Sequence, residues 1–183
     1  DQDVFSFRSH MKATAARDAG RLAQEIVQVN IPRRKQDDLI FEHDEFIKPD
    51  TTVEILSKLR PAFRKEGGSV TAGNSSGLND GSAALLLANE SGLSSSGLTP
   101  LAQIISSAVV GVEPRIMGIG PVRASEIALK RAGITFDDLD VIELNEAFSA
   151  QALACIRAWG LDDDDSRINP NGGGISIGHP LGV

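Results

Sequence analysis

Apolar residues recur at helical spacing over residues 1–20, and this pattern stops at a glycine. It predicts an amphipathic first helix. The segment EIVQVNIPRR alternates apolar and polar residues and predicts a strand, while the charged stretch RRKQDDLIFEHDEF predicts a solvated excursion. In DTTVEILSKLRPAF a capping residue precedes a helical apolar pattern and a proline follows it, which predicts a second, short helix.

The rest of the chain alternates predicted strands and helices. Strands are expected in GSAALLLANESG, LAQIISSAVVGV and LDVIEL, and helices in PVRASEIALKRAG and NEAFSAQALACIRAWG. The serine- and glycine-rich stretch SGLSSSGLTP between the first two strands is expected to be a linker and a domain boundary. Alternation at these lengths implies right-handed crossovers and a sheet covered by helices, so the predicted fold class is α/β.

Composition and net charge limit the classes of ligand and the cellular compartments that we expect for this protein. The 183 residues carry a net charge of -7, which gives no reason to expect binding to nucleic acid or to an anionic membrane surface. No apolar run reaches the roughly 18 residues of a membrane span, so we expect a soluble protein of the cytoplasm or, in a eukaryote, of an organelle matrix. One cysteine and three scattered histidines offer no internal disulfide and no metal cluster.

Two residues stand where chemistry is expected. Asn145 follows the predicted strand LDVIEL and opens the predicted helix, and ligands collect at the carboxyl ends of such strands; a plain helix N-cap is the alternative. His179 follows a glycine-rich loop that a ligand can approach closely, and an imidazole suits proton transfer or donation to an oxyanion; a structural histidine is the alternative. No lysine follows the glycines, which argues against a nucleotide loop.

The remaining candidates have plainer interpretations. The polar loop TAGNSSGLNDG offers exposed backbone donors and short side chains, and it could equally be a turn-rich connector. Cys155 lies among apolar residues of a predicted helix, as expected for a small buried thiol. His10 and His43 lie in polar surroundings and are expected to be solvated.

Three separated segments together resemble the thiolase family closely: VTAGNSSGLNDGSAALLLA, VIELNEAFSAQ and INPNGGGISIGHPLG, with PRIMGIGPV between the first two. The resemblance implies a layered αβαβα fold. Residues 1–77 are then part of the loop domain over the coenzyme A site, residues 78–98 the last strand of the first half and a linker, and residues 99–183 most of the C-terminal half. It also implies an acyltransferase of fatty-acid metabolism that assembles as a homodimer or homotetramer, uses coenzyme A as a substrate and holds no permanent cofactor.

The same resemblance assigns roles to residues. His179 matches the histidine that activates the nucleophilic cysteine and donates to the thioester oxygen, and Asn145 matches the asparagine that holds a water at the enolate oxygen. Ser76 matches a serine that contacts the pantetheine arm, and Ala72 and Phe63 match positions lining the same tunnel. Lys48 falls where many relatives carry an arginine that faces the coenzyme's phosphates; lysine acts there as a point charge.

The chain departs from the family in its cysteines. Thiolases use one cysteine to take the acyl group and another to remove the α-proton of acetyl-coenzyme A, and both motifs fall outside these residues. The position of Cys155 within a helix rules it out for either role. We therefore expect both ends of the chain to be cuts, the longer parent protein to be an active acyltransferase, and the 183 residues alone to be inactive.

The substrate stays open among acetoacetyl-coenzyme A, 3-oxoadipyl-coenzyme A and a longer 3-oxoacyl-coenzyme A. VIELNEAF and INPNGG look like the 3-oxoadipyl-coenzyme A branch, whereas DEFIKPDTT and LRPAFRKEG look like the acetoacetyl-coenzyme A branch. Three rival readings also stay open: a non-catalytic coenzyme A- or lipid-binding relative, a condensing synthase of the wider superfamily, and a structural interaction domain.

Overall fold

A computed structural model describes all the residues from Asp1 to Val183. It contains six α-helices: α1 (Gln2–Asp18), α2 (Val53–Leu56), α3 (Glu90–Ser96), α4 (Gly120–Ala132), α5 (Ser149–Ala158) and α6 (Gly174–Ile177). Three short 3-10 helices span Leu22–Gln24, Pro114–Ile119 and Phe136–Asp138. Strands β1 (Val29–Ile31) and β2 (Leu39–Phe41) pair antiparallel, with Asn30 opposite Ile40. None of the helices combines the length and apolar character that crossing a bilayer requires.

The helices that the sequence marks with their own start and stop signals form as predicted. Helix α1 ends before Gly20, and α4 ends at Gly133, whose left-handed backbone (φ 74°) lets its N–H donate to carbonyls of the last turn. Helix α2 begins after Thr52, whose hydroxyl accepts a hydrogen bond from Ile55 N at 3.2 Å. It ends at Leu56, earlier than the proline that was expected to end it.

The charged excursion is exposed, as predicted, but it contains β2. This strand pairs with β1, which confirms the strand predicted in EIVQVNIPRR. The two strands form an exposed hairpin rather than part of the core, since every residue of both strands is solvent-accessible.

Two predicted strands do not form. Residues 81–88 and 101–112 are extended, lack regular structure and expose their apolar side chains, including Leu85 and Leu101. A strand buried on both faces requires hydrogen-bonding neighbours and covering layers. Residues 101–112 lie beside α4, where Ser106 Oγ donates to Ala128 O and Arg131 donates to Ser107 O, but no strand pairs with either segment. The apolar pattern is typical of buried strands, but these 183 residues provide no neighbouring strands that would bury the two segments.

The predicted linker contains a helix. The side chain of Asn89 accepts a hydrogen bond from Gly92 N at 2.8 Å and so caps the start of α3, and Gly97 ends the helix in the left-handed conformation (φ 67°). Serine-rich composition favoured a loop, but Asn89 and Gly97 flank the seven-residue helix and cap both of its ends.

The segment LDVIEL keeps the alternation of a strand without becoming one. Ile142 and Leu144 are buried and their neighbours are exposed, yet the only ladder contact is a parallel bridge between Ile142 and Ile168. Beyond that bridge, the side chain of Asn169 takes the place of a neighbouring strand. Its Oδ1 accepts from Leu144 N at 2.7 Å, and its Nδ2 donates to Leu144 O at 2.8 Å.

The main core lies where α1, α5 and α6 pack around this segment. Its nine buried members are Phe5, Ile142, Leu144, Ala152, Leu153, Cys155, Ile156, Ile168 and Ile175. A smaller cluster beneath the C-terminal half of α1 contains Ala13, Ala16, Leu22 and Ile47. The first core supports the end of LDVIEL and the start of α6, which are the two places from which the candidate site is built.

Candidate active site

Asn145 lies in a short loop between LDVIEL and α5. Helix α5 begins at Ser149 and its N-cap position is Phe148, so Asn145 neither caps nor opens the helix. The alternative of a plain N-cap is therefore wrong, and so is the expectation that a helix starts directly at this residue. The side chain is exposed and free to face a neighbouring loop.

His179 lies in the loop that follows α6. It comes one residue after Gly178, whose positive φ of 98° turns the chain, and its backbone N–H donates to Gly77 O at 3.0 Å. This bond forms part of a parallel bridge between Leu78 and His179, so the histidine loop is fixed against the polar loop around Ser76. Helix α6 ends at Ile177, two residues before His179.

The fold brings Asn145 and His179 together. Asn145 Nδ2 lies 3.1 Å from His179 Nε2, although the residues are 34 positions apart in sequence. The amide N–H donates to Nε2 when the imidazole proton is on Nδ1. With the proton on Nε2, both groups are donors, so they form no hydrogen bond with each other and each is left to donate to a ligand or a water. Two polar N–H groups that converge in this way can bind an oxygen on which negative charge develops.

Ser76 lies against the loop that carries Asn145, and Ala72 lies four residues before it in the same polar loop. The backbone N–H and the hydroxyl of Ser76 both donate to Ala147 O, at 3.0 and 3.1 Å. The hydroxyl proton is therefore engaged, and its lone pairs are left to accept from a ligand. Ala72 is exposed on the same loop and offers an apolar surface of small size.

Phe63 and Lys48 lie farther from the pair. Phe63 is 75% exposed and its ring meets Phe148 edge-on, with centroids 6.2 Å apart, which connects it to the loop that carries Asn145. Lys48 Nζ lies 4.7 Å from the centroid of the Phe46 ring, and that ring lies against Gly77, where a Cβ would be 2.5 Å from Phe46 Cζ. The exposed ammonium group forms no ion pair within the chain.

Comparison with known proteins assigns the chain to a family. Residues 1–91 match the family model of the thiolase N-terminal domain, and residues 98–183 match that of the thiolase C-terminal domain. The chain belongs to the thiolase family. The chain is 53% identical over 183 residues to a β-ketoadipyl-CoA thiolase of Pseudomonas aeruginosa and 52% identical to an acetyl-CoA acetyltransferase of Chromobacterium violaceum. It is covered completely in both alignments but spans only 45% and 46% of those relatives.

Solved structures confirm the predicted α/β thiolase fold. The Bacillus anthracis acetyl-CoA acetyltransferase superposes with a TM-score of 0.93 at 45% identity, over 99% of this chain and 45% of that one. The human mitochondrial 3-ketoacyl-CoA thiolase gives a TM-score of 0.92 at 44% identity, over 99% of this chain and 44% of the other. The chain therefore follows the path of a thiolase even where its extended segments lack partner strands.

The site of this thiolase also contains a buried carboxylate that the motif analysis missed. Glu146, next to Asn145, is 1% exposed and accepts hydrogen bonds from Ser9 Oγ at 2.6 Å, Asn169 Nδ2 at 2.8 Å and Ile175 N at 3.2 Å. Burial raises the pKa of Glu146, although these three donors lower it. The strand-like alternation of LDVIEL carries the missing signal, because a residue two positions after Leu144 falls on the buried face.

The glycine run is explained by that carboxylate. A Cβ on Gly173 would lie 2.5 Å from Glu146 Cδ, and one on Gly174 would lie 3.0 Å from Asn145 Oδ1. These glycines allow the loop to pack directly against the two side chains rather than against a ligand phosphate. The close approach expected from the sequence is therefore an approach to Glu146 and Asn145.

The structure tests the predictions of solvent exposure for His10 and His43 and of burial for Cys155. The expectation for His10 is wrong: it is 3% exposed on the inner face of α1, and burial, followed by the charge of Lys48, lowers its pKa to about 4. Its Nδ1 accepts from Lys48 N at 3.3 Å. His43 is exposed, as predicted. Cys155 is a fully buried thiol, also as predicted, and burial raises its pKa.

Proposed function

We propose that the protein containing this chain is a thiolase that forms or cleaves the carbon-carbon bond of a 3-oxoacyl-coenzyme A. The observation that carries the proposal is the 3.1 Å approach of Asn145 Nδ2 to His179 Nε2 at the loop edge of the core. In the condensing direction acetyl-coenzyme A gives an α-proton to the family's second cysteine, whose motif lies outside these 183 residues. The electron pair of that C–H bond forms an enolate with its charge on the thioester oxygen. With its proton on Nε2, His179 donates to this oxygen directly, and Asn145 holds a water that donates to the same oxygen, so both residues stabilise the charge.

His179 has a second task in this mechanism. The enolate carbon attacks an acyl thioester on the nucleophilic cysteine, forming the new carbon-carbon bond and releasing the cysteine as a thiolate. An imidazole beside that sulfur takes its proton when the acyl group is loaded and stabilises the thiolate when it leaves. Asn145 acts through a water at the enolate oxygen, as the family resemblance implies. Both roles require the two side chains to stay in their present juxtaposition.

Binding of coenzyme A is proposed along the polar loop. Ser76 keeps lone pairs for the pantetheine amides, and Ala72 and Phe63 offer apolar surface to the same arm. Lys48 is exposed and unpaired, so in a chain of net charge -7 it supplies local positive charge for the coenzyme's phosphates. Residues 1–77 then form part of the loop domain, residues 78–98 connect the halves, and residues 99–183 form most of the C-terminal half.

The substrates proposed are acetoacetyl-coenzyme A and 3-oxoadipyl-coenzyme A. Relatives named for each chemistry match this chain almost equally, at 52% and 53% identity. The longer protein is proposed to act in the cytoplasm as a homodimer or homotetramer within fatty-acid metabolism. The 183 residues alone are proposed to be inactive, because their sole thiol, Cys155, is buried in α5.

The proposal is tested by thiolysis. The full-length protein is incubated with free coenzyme A and either 3-oxoacyl substrate, and acetyl-coenzyme A is measured as it forms. We expect turnover of at least one substrate by the full-length protein and none by the 183-residue segment. Binding of coenzyme A without turnover would instead support the non-catalytic alternative, and turnover by the segment would refute its proposed inactivity.

A further inference from the structure

The buried carboxylate of Glu146 connects three separate parts of the chain. Its Oε2 accepts from Ser9 Oγ on α1 at 2.6 Å and from Ile175 N on α6 at 3.2 Å, while its Oε1 accepts from Asn169 Nδ2 at 2.8 Å. All three partners donate, which matches the acceptor-only character of an ionised carboxylate. Lys12 does not pair with it directly, because Lys12 Nζ donates to Ile168 O at 2.7 Å.

The network extends one step further through Ser176. Ser9 Oγ lies 2.9 Å from Ser176 Oγ, and Ser176 Oγ also lies 3.1 Å from Gly173 O, to which it donates. Two successive residues of α6, Ile175 and Ser176, are thus tied to Glu146, one directly and one through Ser9. The start of α6 has no freedom to shift without breaking a buried hydrogen bond.

These contacts hold the two candidate catalytic loops together. Glu146 is the neighbour of Asn145, and Ile175 lies four residues before His179. Gly173 packs so closely on the Glu146 carboxylate that a Cβ there would lie 2.5 Å from Cδ. The carboxylate therefore fixes the loop of Asn145 against the loop that leads to His179.

We infer that Glu146 is a positioning residue, which sets the 3.1 Å juxtaposition of Asn145 and His179 through its bonds to Ser9, Asn169 and Ile175. Glu146 contacts no substrate atom and transfers no proton; it acts through the two loops. The inference deepens the proposed thiolase function and rests on it. A buried residue that only stabilised the fold would affect thermal stability without a matching effect on turnover.

Replacement of Glu146 by glutamine is the sharpest perturbation. The amide oxygen can still accept from Asn169, but the amide nitrogen then faces both Ser9 Oγ and Ile175 N. Serine can reverse its hydroxyl and accept, whereas the backbone N–H of Ile175 cannot. In the flipped orientation the amide oxygen accepts from Ser9 and Ile175, and the amide nitrogen faces the Nδ2 donor of Asn169 instead. The Glu146→Gln variant therefore keeps shape and volume and loses one buried contact in either orientation, to Ile175 or to Asn169.

The experiment compares four full-length proteins: wild type, Glu146→Gln, Ser9→Ala and Ile156→Val. Thermal midpoints, kcat and KM for the 3-oxoacyl-coenzyme A are measured for each. We expect Glu146→Gln to lower kcat by about 10- to 100-fold, as a misplacement near 1 Å does, with KM changed less than about two-fold. Ser9→Ala removes one donor and should lower kcat by a smaller factor, about two- to five-fold.

Ile156→Val is the matched control, because Ile156 is buried in the same core but its apolar side chain forms no hydrogen bond in the carboxylate network. It should lower the thermal midpoint and leave kcat unchanged. The inference is overturned if Glu146→Gln retains kcat within two-fold of wild type, or if the control loses as much kcat at a similar midpoint. Should Glu146→Gln fail to fold, an unchanged kcat in Ser9→Ala overturns it equally. A wild-type protein without turnover would refute the proposed function instead.

Discussion

Acidification should destabilise this protein through one buried histidine. His10 is 3% exposed on α1, and its Nδ1 accepts a hydrogen bond from Lys48 N at 3.3 Å. Burial, followed by the charge of Lys48, lowers the pKa of His10 from 6.5 to about 4. The unfolded chain therefore takes up a proton near pH 6.5, and the folded chain does so only near pH 4. Between these values the unfolded state binds more protons, so stability is complete above pH 6.5 and is lost as the pH falls toward 4.

The size of the effect follows from the two pKa values. One pKa unit corresponds to about 1.4 kcal/mol, and pH 5.0 lies about 1.5 units below the unfolded value, so His10 should cost about 2 kcal/mol there relative to pH 7.5. A protonated imidazole also cannot accept from Lys48 N, so the turn that carries the proposed phosphate-binding lysine should loosen over the same pH range.

Urea unfolding of the full-length protein at pH 7.5 and 5.0 measures this cost. Carboxylates that titrate in the same range change the free energy of unfolding equally in every variant. The difference between variants therefore measures the contribution of His10. In the His10→Gln variant, the loss of free energy of unfolding between the two pH values should be smaller by about 2 kcal/mol than in wild type. His43→Gln, at an exposed position, is the matched control and should behave as wild type does. An undiminished loss in His10→Gln would refute the reasoning.

Three further perturbations follow from the packing. Gly173→Ala places a Cβ 2.5 Å from Glu146 Cδ and should cost about 1–3 kcal/mol in thermal or urea unfolding, whereas Gly111→Ala, with open space around the new carbon, should be close to neutral; equal costs would contradict the packing argument. Asn169→Ala removes the side chain that bonds buried backbone on both its N–H and its C=O, and should cost about 3 kcal/mol, so a loss below 1 kcal/mol in the same assay would argue against that bridge. Lys48→Ala should raise KM for coenzyme A and leave kcat unchanged, and Lys48→Arg should not; a KM equal to wild type in the alanine variant would remove Lys48 from the phosphate site.

The sequence was informative wherever the signal is local. Helices α1 and α4 carry their periodicity and their stop signals within a few residues, so they were predictable from the chain itself. The segments 81–88 and 101–112 differ, because strand formation depends on a neighbouring strand that no local pattern supplies. Their apolar composition predicts buried strands, whereas these residues lack regular structure and expose leucines such as Leu85 and Leu101.

The candidate site likewise combines residues that the local sequence identifies with contacts that depend on distant parts of the chain. Asn145 and His179 were selected individually from strand ends, glycine content and family resemblance, but their 3.1 Å contact depends on the packing of α1, α5 and α6. His10 was misjudged because serines share the buried face of α1 with it, which conceals the inward stripe of that helix in a hydropathy pattern. Glu146 was missed since a buried carboxylate is recognised by the donors that surround it, and those come from distant parts of the chain.

The central claim is that Asn145 and His179 act as one unit on a developing oxyanion, and a double-mutant cycle tests it most directly. Thiolysis is measured for full-length wild type, Asn145→Ala, His179→Ala and the double variant. Each single change should lower kcat by about 100-fold or more, and the double variant should lose less than the product of the two, with a coupling energy of at least about 1 kcal/mol. Full kcat in either single variant, or losses that multiply without coupling, would contradict the account.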